Sequence, residues 1–215
     1  MRRNPGARSR TAARPRRRRR PGPDRALIQR AARLLLRGIG ETGLQRDLLA
    51  TPRRVADAWS AEIVSGYRAD PGRILAKTIP AQDRDLVVVR DIPFTSVCVH
   101  HLLPFFGTAH VAYLPGDRLI GLSKITRAVD ALARRLQLQE RLTRQVVEAL
   151  ALALRPLGAA CKMEAEHLCM TIRGTRKTGT RVVTSAYTGV FRSSPALRAE
   201  FLRLAGAYRA EGARR

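Results

Sequence analysis

The stretch LVVVRDIPFTSVCVHHLLPFFGTAHVAYLPGDRLIGL, residues 86–122, is where the apolar period of the chain changes from helical to alternating. Residues 86–92, 94–99, 108–114 and 118–122 read as strands, rich in β-branched and aromatic side chains. Pro115-Gly116-Asp117 supplies the turn between the last two. Helices lie on both sides of this stretch. Upstream, Asp24 caps a helix from about Arg25, with Leu27, Ile28, Ala31, Leu34 and Leu35 at helical spacing and Gly38 and Gly40 closing it. A second helix starts at Thr51-Pro52, with Thr as cap and Pro where a missing N–H costs nothing. It runs through Val55, Ala58, Trp59 and Ile63 to Gly66 as its C′ residue. Downstream, one helix begins near Ser123 and carries Ile125, Val129 and Leu132. Another covers 139–156, with Leu142, Val146, Leu150 and Leu154 on one stripe. Residues 159–173 and 181–191 return to β character, and Ser194-Pro195 opens a last helix with Leu197, Phe201 and Leu204. Strands and helices grouped in this way, without internal repeats, predict an α+β fold: an antiparallel sheet covered by helices.

Composition bounds the function. At 215 residues and 45% hydrophobic content the chain can bury one ordinary core, which excludes a wholly disordered protein. The net charge of +24 favours anionic partners: nucleotides, nucleic acid or phosphorylated metabolites. Part of that charge sits in residues 1–24, which hold ten arginines against one acid, Asp24. This Arg/Pro-rich arm has no apolar signal region and reads as a disordered tail. No apolar run approaches the roughly 18 residues of a membrane span. Three cysteines, an odd and sparse set, argue against a disulfide scaffold and for a reducing cytoplasm.

Cys98-Val99-His100-His101 places a thiol and an imidazole three residues apart, within reach of one metal ion, and both are ligands that zinc prefers. His167-Leu168-Cys169 offers a second pair; on a strand, positions two apart face the same way and would enter one pocket. Cys98, His101 and one or both of the later pair make a three- or four-ligand site. Four protein ligands mean a closed structural zinc, whereas three leave a position for water that zinc can activate. The competing reading, chance spacing and packed cysteines, must place three of the four histidines and two of the three cysteines in two short segments by accident. Cys161 lies outside both and reads as core. Ser123-Lys124-Ile125-Thr126-Arg127 opens a helix whose N-terminus favours anions, with Lys124 and Arg127 on one face. In so Arg-rich a protein the plain alternative is a solvated basic helix start. In Gln139-Glu140-Arg141 the carboxylate is either a surface residue near a helix N-terminus or an acceptor for the N1–H and exocyclic amine of guanine.

Residues 94–193 resemble GTP cyclohydrolase I without a gap, and a weaker likeness extends back to Thr51. The stretches that carry it are Cys98-Val99-His100-His101, 121–127 (GLSKITR), 138–143 (LQERLT), 166–170 (EHLCM), Arg173-Gly174 and 189–192 (GVFR). The resemblance implies a tunnelling fold (T-fold), in which subunits join their sheets into a pentameric barrel. Two rings make a decamer with active sites between subunits. It implies one Zn2+ per subunit on Cys98, His101 and Cys169, with the fourth position open, so that the metal activates the water that attacks C8 of guanine. His100 and His167 match the two non-ligand histidines, His167 protonating N7, and Ser123 matches the residue that helps to open the ribose. Glu140 matches the guanine-reading carboxylate and Gln139 a ribose contact. Lys124, Arg127 and Arg173 match triphosphate-binding positions, with Arg54 reaching in from a neighbouring subunit. The implied reaction releases formate and yields 7,8-dihydroneopterin triphosphate, the first step of tetrahydrofolate and pterin synthesis. The expected organisation is the arm 1–24, a helical segment 25–66 and a catalytic domain 67–215. One departure stands out: some relatives carry Lys where this chain has Asp57, three residues after Arg54.

Three other readings compete, one of them an interaction module built on a structural zinc, which a fourth protein ligand at the metal would mark. A related tunnelling-fold pterin or deazapurine enzyme would have to retain Cys98, His101, Cys169, Ser123 and Glu140 for a different substrate. A nucleic-acid-binding protein led by Arg16 to Arg20 would bind with steep salt dependence, but the arm has no interleaved aromatics for base stacking. Any nucleic-acid contact of the arm is therefore read as incidental. Deleting residues 1–24 should leave GTP turnover within about twofold of the full chain; loss of most activity in a steady-state assay would contradict this.

Overall fold

The computed structural model describes residues 22–41 and 46–206; most of the basic arm lies outside them. The first element, α1 (Arg25–Gly38), is capped by Asp24, whose carboxylate accepts from the Leu27 N–H at 3.0 Å. Next comes α2 (Thr51–Asp57), which widens into a π-helical turn (Ala58–Ile63) and then a 3-10 turn (Ser65–Tyr67). Asp70 caps the short α3 (Pro71–Leu75). The strands β1 (Thr78–Pro80), β2 (Val87–Cys98), β3 (Pro104–Leu114) and β4 (Arg118–Ile120) follow. Then come α4 (Leu122–Ala133), β5 (Leu136–Gln137), α5 (Gln139–Leu154), β6 (Gly158–His167) and α6 (Leu168–Thr171). The last elements are β7 (Val182–Gly189), α7 (Val190–Ser193) and α8 (Pro195–Gly206).

The main sheet has the order β5-β2-β3-β6-β7, antiparallel except for the parallel β2–β5 pair, and β1 pairs with β4 in a separate ribbon. Period-two alternation divides its faces. On one, Phe94, Phe105, Ala109, Val111, Cys161, Met163 and Ala165 pack against Ile125, Val129 and Leu132 of α4 and Leu142, Val146 and Leu150 of α5. On the other, Ala112 and Ala160 meet Phe191, Phe201 and Ala205, which seats α8. This is the α+β arrangement of an antiparallel sheet packed with helices.

The details differ from the sequence reading at several points. Residues 86–99 form one strand rather than two, bent by a bulge between Val89 and Ile92 at which Asp91 takes φ 56°. Pro93 is tolerated because β5 pairs with β2 only at Val97 and Cys98, leaving that edge of the strand without a ladder beside the proline. The predicted strand over 159–173 ends at His167, where the chain turns into α6, so strand alternation is not what orients Cys169. The predicted strand over 181–191 ends at Gly189 (φ 54°), where a Cβ would lie 2.0 Å from the Leu157 carbonyl oxygen. Thr51 is not the cap of α2: Ala50 holds that position and no side chain caps the helix. Short elements with too few residues to show a period, α3, β1 and β5, were not foreseen.

Gly66 has a different role from the one expected. It does not take a left-handed conformation after a helix; it is buried against α4, and its N–H donates to the Arg134 carbonyl at 2.9 Å. Arg135 closes the same contact, donating to the carbonyls of Gly66 (3.0 Å), Ala131 (3.0 Å) and Ala69 (3.1 Å). A Cβ on Gly66 would fall 2.3 Å from the Ala131 oxygen. Gly66→Ala should therefore cost about 1–3 kcal/mol through forced separation of the backbones. Gly38→Ala, with nothing within 4 Å of the added carbon, should stay within about 1 kcal/mol of the parent. Calorimetric unfolding of the two variants checks the contrast.

Candidate active site

Strand β2 ends at Cys98, and the chain reverses into β3 through a tight loop. The Leu102 N–H donates to the Cys98 carbonyl at 2.9 Å, and the Cys98 N–H to the Leu103 carbonyl at 2.9 Å. Leu102 takes φ 55° to complete the reversal. This geometry folds His101 back over Cys98, with Nδ1 3.9 Å from Sγ. The third member arrives from far along the chain. Strand β6 pairs with β3 so that His167 lies opposite Phe105, and the turn of α6 then carries Cys169 over the loop. The ligand atoms of Cys98, His101 and Cys169 all lie within 4.8 Å of one another.

Cys98 is buried, Cys169 half-buried and His101 exposed, so the group is open on one side. Burial raises the Cys169 thiol above its ordinary pKa, the adjacent Cys98 raises it further, and Arg173 pulls it down. Two thiols this close, one buried and one half-buried, do not ionise together without a cation between them. Two sulfurs and an imidazole nitrogen are the donor set of a tetrahedral, borderline-soft divalent ion. Among the described residues this is the one group of His, Cys, Asp or Glu that is placed to hold a metal, and neither His100 nor His167 belongs to it. Of the two arrangements left open by spacing, the three-ligand one is present. Cys161 is buried in the core, its thiol pushed up by desolvation, as expected of a packing residue.

His167 stands beside this group. Its ring stacks on Phe105 at 4.5 Å between centroids and 3° between planes, and its Nε2 lies 2.7 Å from Gln139 Oε1. Burial holds the imidazole below its ordinary pKa, against the pull of the nearby Glu140 carboxylate. Gln139 and Glu140 open α5 and point opposite ways: Gln139 is 2% exposed, while Glu140 faces solvent. His100, also exposed, sets its ring edge-on to His101 at 6.1 Å.

Cys98, His100, His101, Cys169 and Arg173 are thus joined by contact or by electrostatic influence, and His167, Gln139 and Glu140 form a second such set, tied to the first along the chain by His167, two residues before Cys169. Ser123, Lys124 and Arg127 sit on the first turns of α4, with Ser123 and Arg127 exposed. Arg54 is exposed on α2, where its neighbour Asp57 is paired with Arg25 of α1. None of these four has a hydrogen bond or ion pair to the centre among the described residues. Phe105, Thr143 and Thr184 were not anticipated as parts of the site. Their involvement depends on strand register, which no local motif encodes.

The family model described as GTP cyclohydrolase I matches residues 28–206. GTP cyclohydrolase 1 of Geobacillus kaustophilus is 47% identical over 180 residues, covering 83% of this chain and 95% of that protein. GTP cyclohydrolase 1 of Pelotomaculum thermopropionicum is 47% identical over 178 residues, and that of Bacillus cytotoxicus 48% over 176, each covering more than four-fifths of this chain and over nine-tenths of the relative. A solved structure of the archaeosine synthase QueF-Like in the apo form covers 50% of this chain and 97% of its own at 19% identity and a TM-score of 0.43, a likeness too slight to add to these. With its Cys-His-Cys group and the neighbouring histidine in a fold matched over nearly all its described length, the chain belongs to the GTP cyclohydrolase I family.

Proposed function

We propose that this chain hydrolyses GTP at C8 of the guanine ring, releases formate and forms 7,8-dihydroneopterin triphosphate, with one zinc ion on Cys98, His101 and Cys169 of each subunit. The observation that carries the reading is the open three-ligand group with His167 beside it. Zinc bound there supplies Lewis-acid activation of water near neutral pH. The residues of the chain supply the rest. His167, whose charged form the Glu140 carboxylate favours, delivers a proton to N7 of the guanine. Glu140, a carboxylate reaching solvent beside it, accepts from the N1–H and the exocyclic amine of the base. His100 serves as the second non-ligand histidine, and Ser123 assists opening of the ribose. Lys124, Arg127 and Arg173 clamp the triphosphate, guanidinium forks matching phosphate oxygens, with Arg54 contributed by a neighbouring subunit.

The reading extends to assembly: a decamer of two pentamers, the sheets of five subunits joined into a barrel and each site completed by a second copy. Support comes from apolar surface left uncovered among the described residues. Leu27, Leu34 and Leu35, the predicted stripe of α1, are 61%, 66% and 67% exposed. A reducing cytoplasm suits the two unpaired thiols of the centre. None of the described helices is long and apolar enough to cross a membrane.

The test is incubation of the purified protein with GTP, following product absorbance and formate, with and without a chelator. Both products should form in equal amounts, and chelation should abolish them. Metal-loaded protein that leaves GTP intact would overturn the reading. Two variants separate the roles. Cys169→Ala should lose stoichiometric zinc and turnover together. His167→Ala should keep zinc by atomic absorption while kcat falls by about 10²–10⁴.

A further inference from the structure

We infer that Gln139 is a positioning residue: through a one-way chain of hydrogen bonds it fixes His167 with the proton on Nε2 and leaves Nδ1 as the ring nitrogen open to substrate. The inference rests on the proposed role of His167 in delivering a proton to the guanine.

The direction of the chain is set by backbone carbonyls, which only accept. Gln139 Nε2 lies 2.9 Å from the Val182 carbonyl and 3.2 Å from that of Met163, so the amide nitrogen is the end that faces them. A flipped amide would set oxygen against two carbonyl oxygens. A second anchor agrees. Thr143 Oγ1 is 2.8 Å from the Gln139 carbonyl and must donate to it. Thr184 Oγ1, at 2.6 Å from Thr143 Oγ1, then donates to that hydroxyl and keeps a lone pair for Gln139 Nε2 at 3.2 Å. The two amide hydrogens face three acceptors, one of them in a shared contact, and all three hold the nitrogen on this side. Gln139 Oε1 is therefore turned toward His167, and at 2.7 Å it accepts from an Nε2–H. The amide is 2% exposed, so water does not compete for it, and a ring turned by 180° within the same stack would set a carbon rather than Nε2 against the amide oxygen.

This gives Gln139 a task other than the ribose contact implied by the resemblance, because its amide is already committed inside the protein. It also explains the split at the start of α5, where adjacent residues serve the same site from opposite sides: Glu140 from the solvent, Gln139 from the core. A fixed partner on one imidazole nitrogen defines the function of the other, as it does for metal-bound and catalytic histidines generally.

The experiment uses the zinc-loaded full chain, labelled with 15N-histidine, in solid-state NMR at alkaline pH, with the His167 signals assigned by their loss in His167→Gln. Neutral His167 should show a single tautomer protonated at Nε2. Gln139→Met, close in volume and lacking an acceptor, should give mixed tautomers. It should retain zinc, lower kcat by about 10- to 100-fold, and leave KM for GTP within about threefold. A wild-type ring protonated at Nδ1 would overturn the inference, whether or not the variant folds. So would a Gln139→Met protein with unchanged kcat and a raised KM, the mark of a direct substrate contact. Failure of the wild-type protein to turn over GTP would instead count against the proposed function, and the tautomer would still be measurable.

Discussion

The pairing of β3 with β6 is the constraint on which the site depends. Its register sets Phe105 opposite His167, and from that one match follow the ring stack, the approach of Cys169 to Cys98 and His101, and the reach of His167 to Gln139. Side chains alternate along a strand, so a slip of one residue would turn His167 to the opposite face and carry Cys169 away from the loop. The register is held by burial on both faces. Ala109, Val111, Cys161 and Met163 face α4 and α5, while Ala112 and Ala160 face α8. Gly107 adds a steric condition, since a Cβ there would lie 1.9 Å from the Glu164 oxygen across the ladder. The chemistry of the centre is thus supported by the packing of a sheet that contributes Cys98 and His167 at its strand ends.

What was legible in the sequence is what local rules encode. The Cys98–His101 spacing, the Asp24 cap, and the stripes of α4 and α5 all depend on residues within a few positions of each other, and all are present. What was not legible depends on partners far away in the chain. Gln139 looks like any polar residue at a helix start; its burial follows from β6 and β7 passing over it. Gly66 reads as a helix terminator until the approach of Arg134 gives it a different duty. Cys169 comes close to Cys98 and His101 for a reason other than the one expected, through a helical turn rather than strand alternation.

The α1 stripe teaches a related point. Its helical spacing is correct, yet no side chain among the described residues covers Leu27, Leu34 and Leu35. Periodicity reports that a face is apolar and leaves open what covers it. The Arg25–Asp57 pair, meanwhile, joins α1 to α2 and gives Asp57 a use that does not involve a ligand. Both groups are about half exposed, which keeps its contribution small.

The separation of the centre's parts also sets an order of assembly. Cys98 and His101 meet within one tight reversal, a closure that a chain makes quickly. Cys169 joins them only after α4, β5 and α5 have been made and β6 has zipped onto β3, a long-range pairing of the slow kind. As the chain leaves the ribosome, two of the three ligand residues therefore emerge well before the third has been synthesised. The three-ligand group comes together with the β3–β6 pairing, one strand short of the finished sheet, whose edge strand β7 follows Cys169 in the chain.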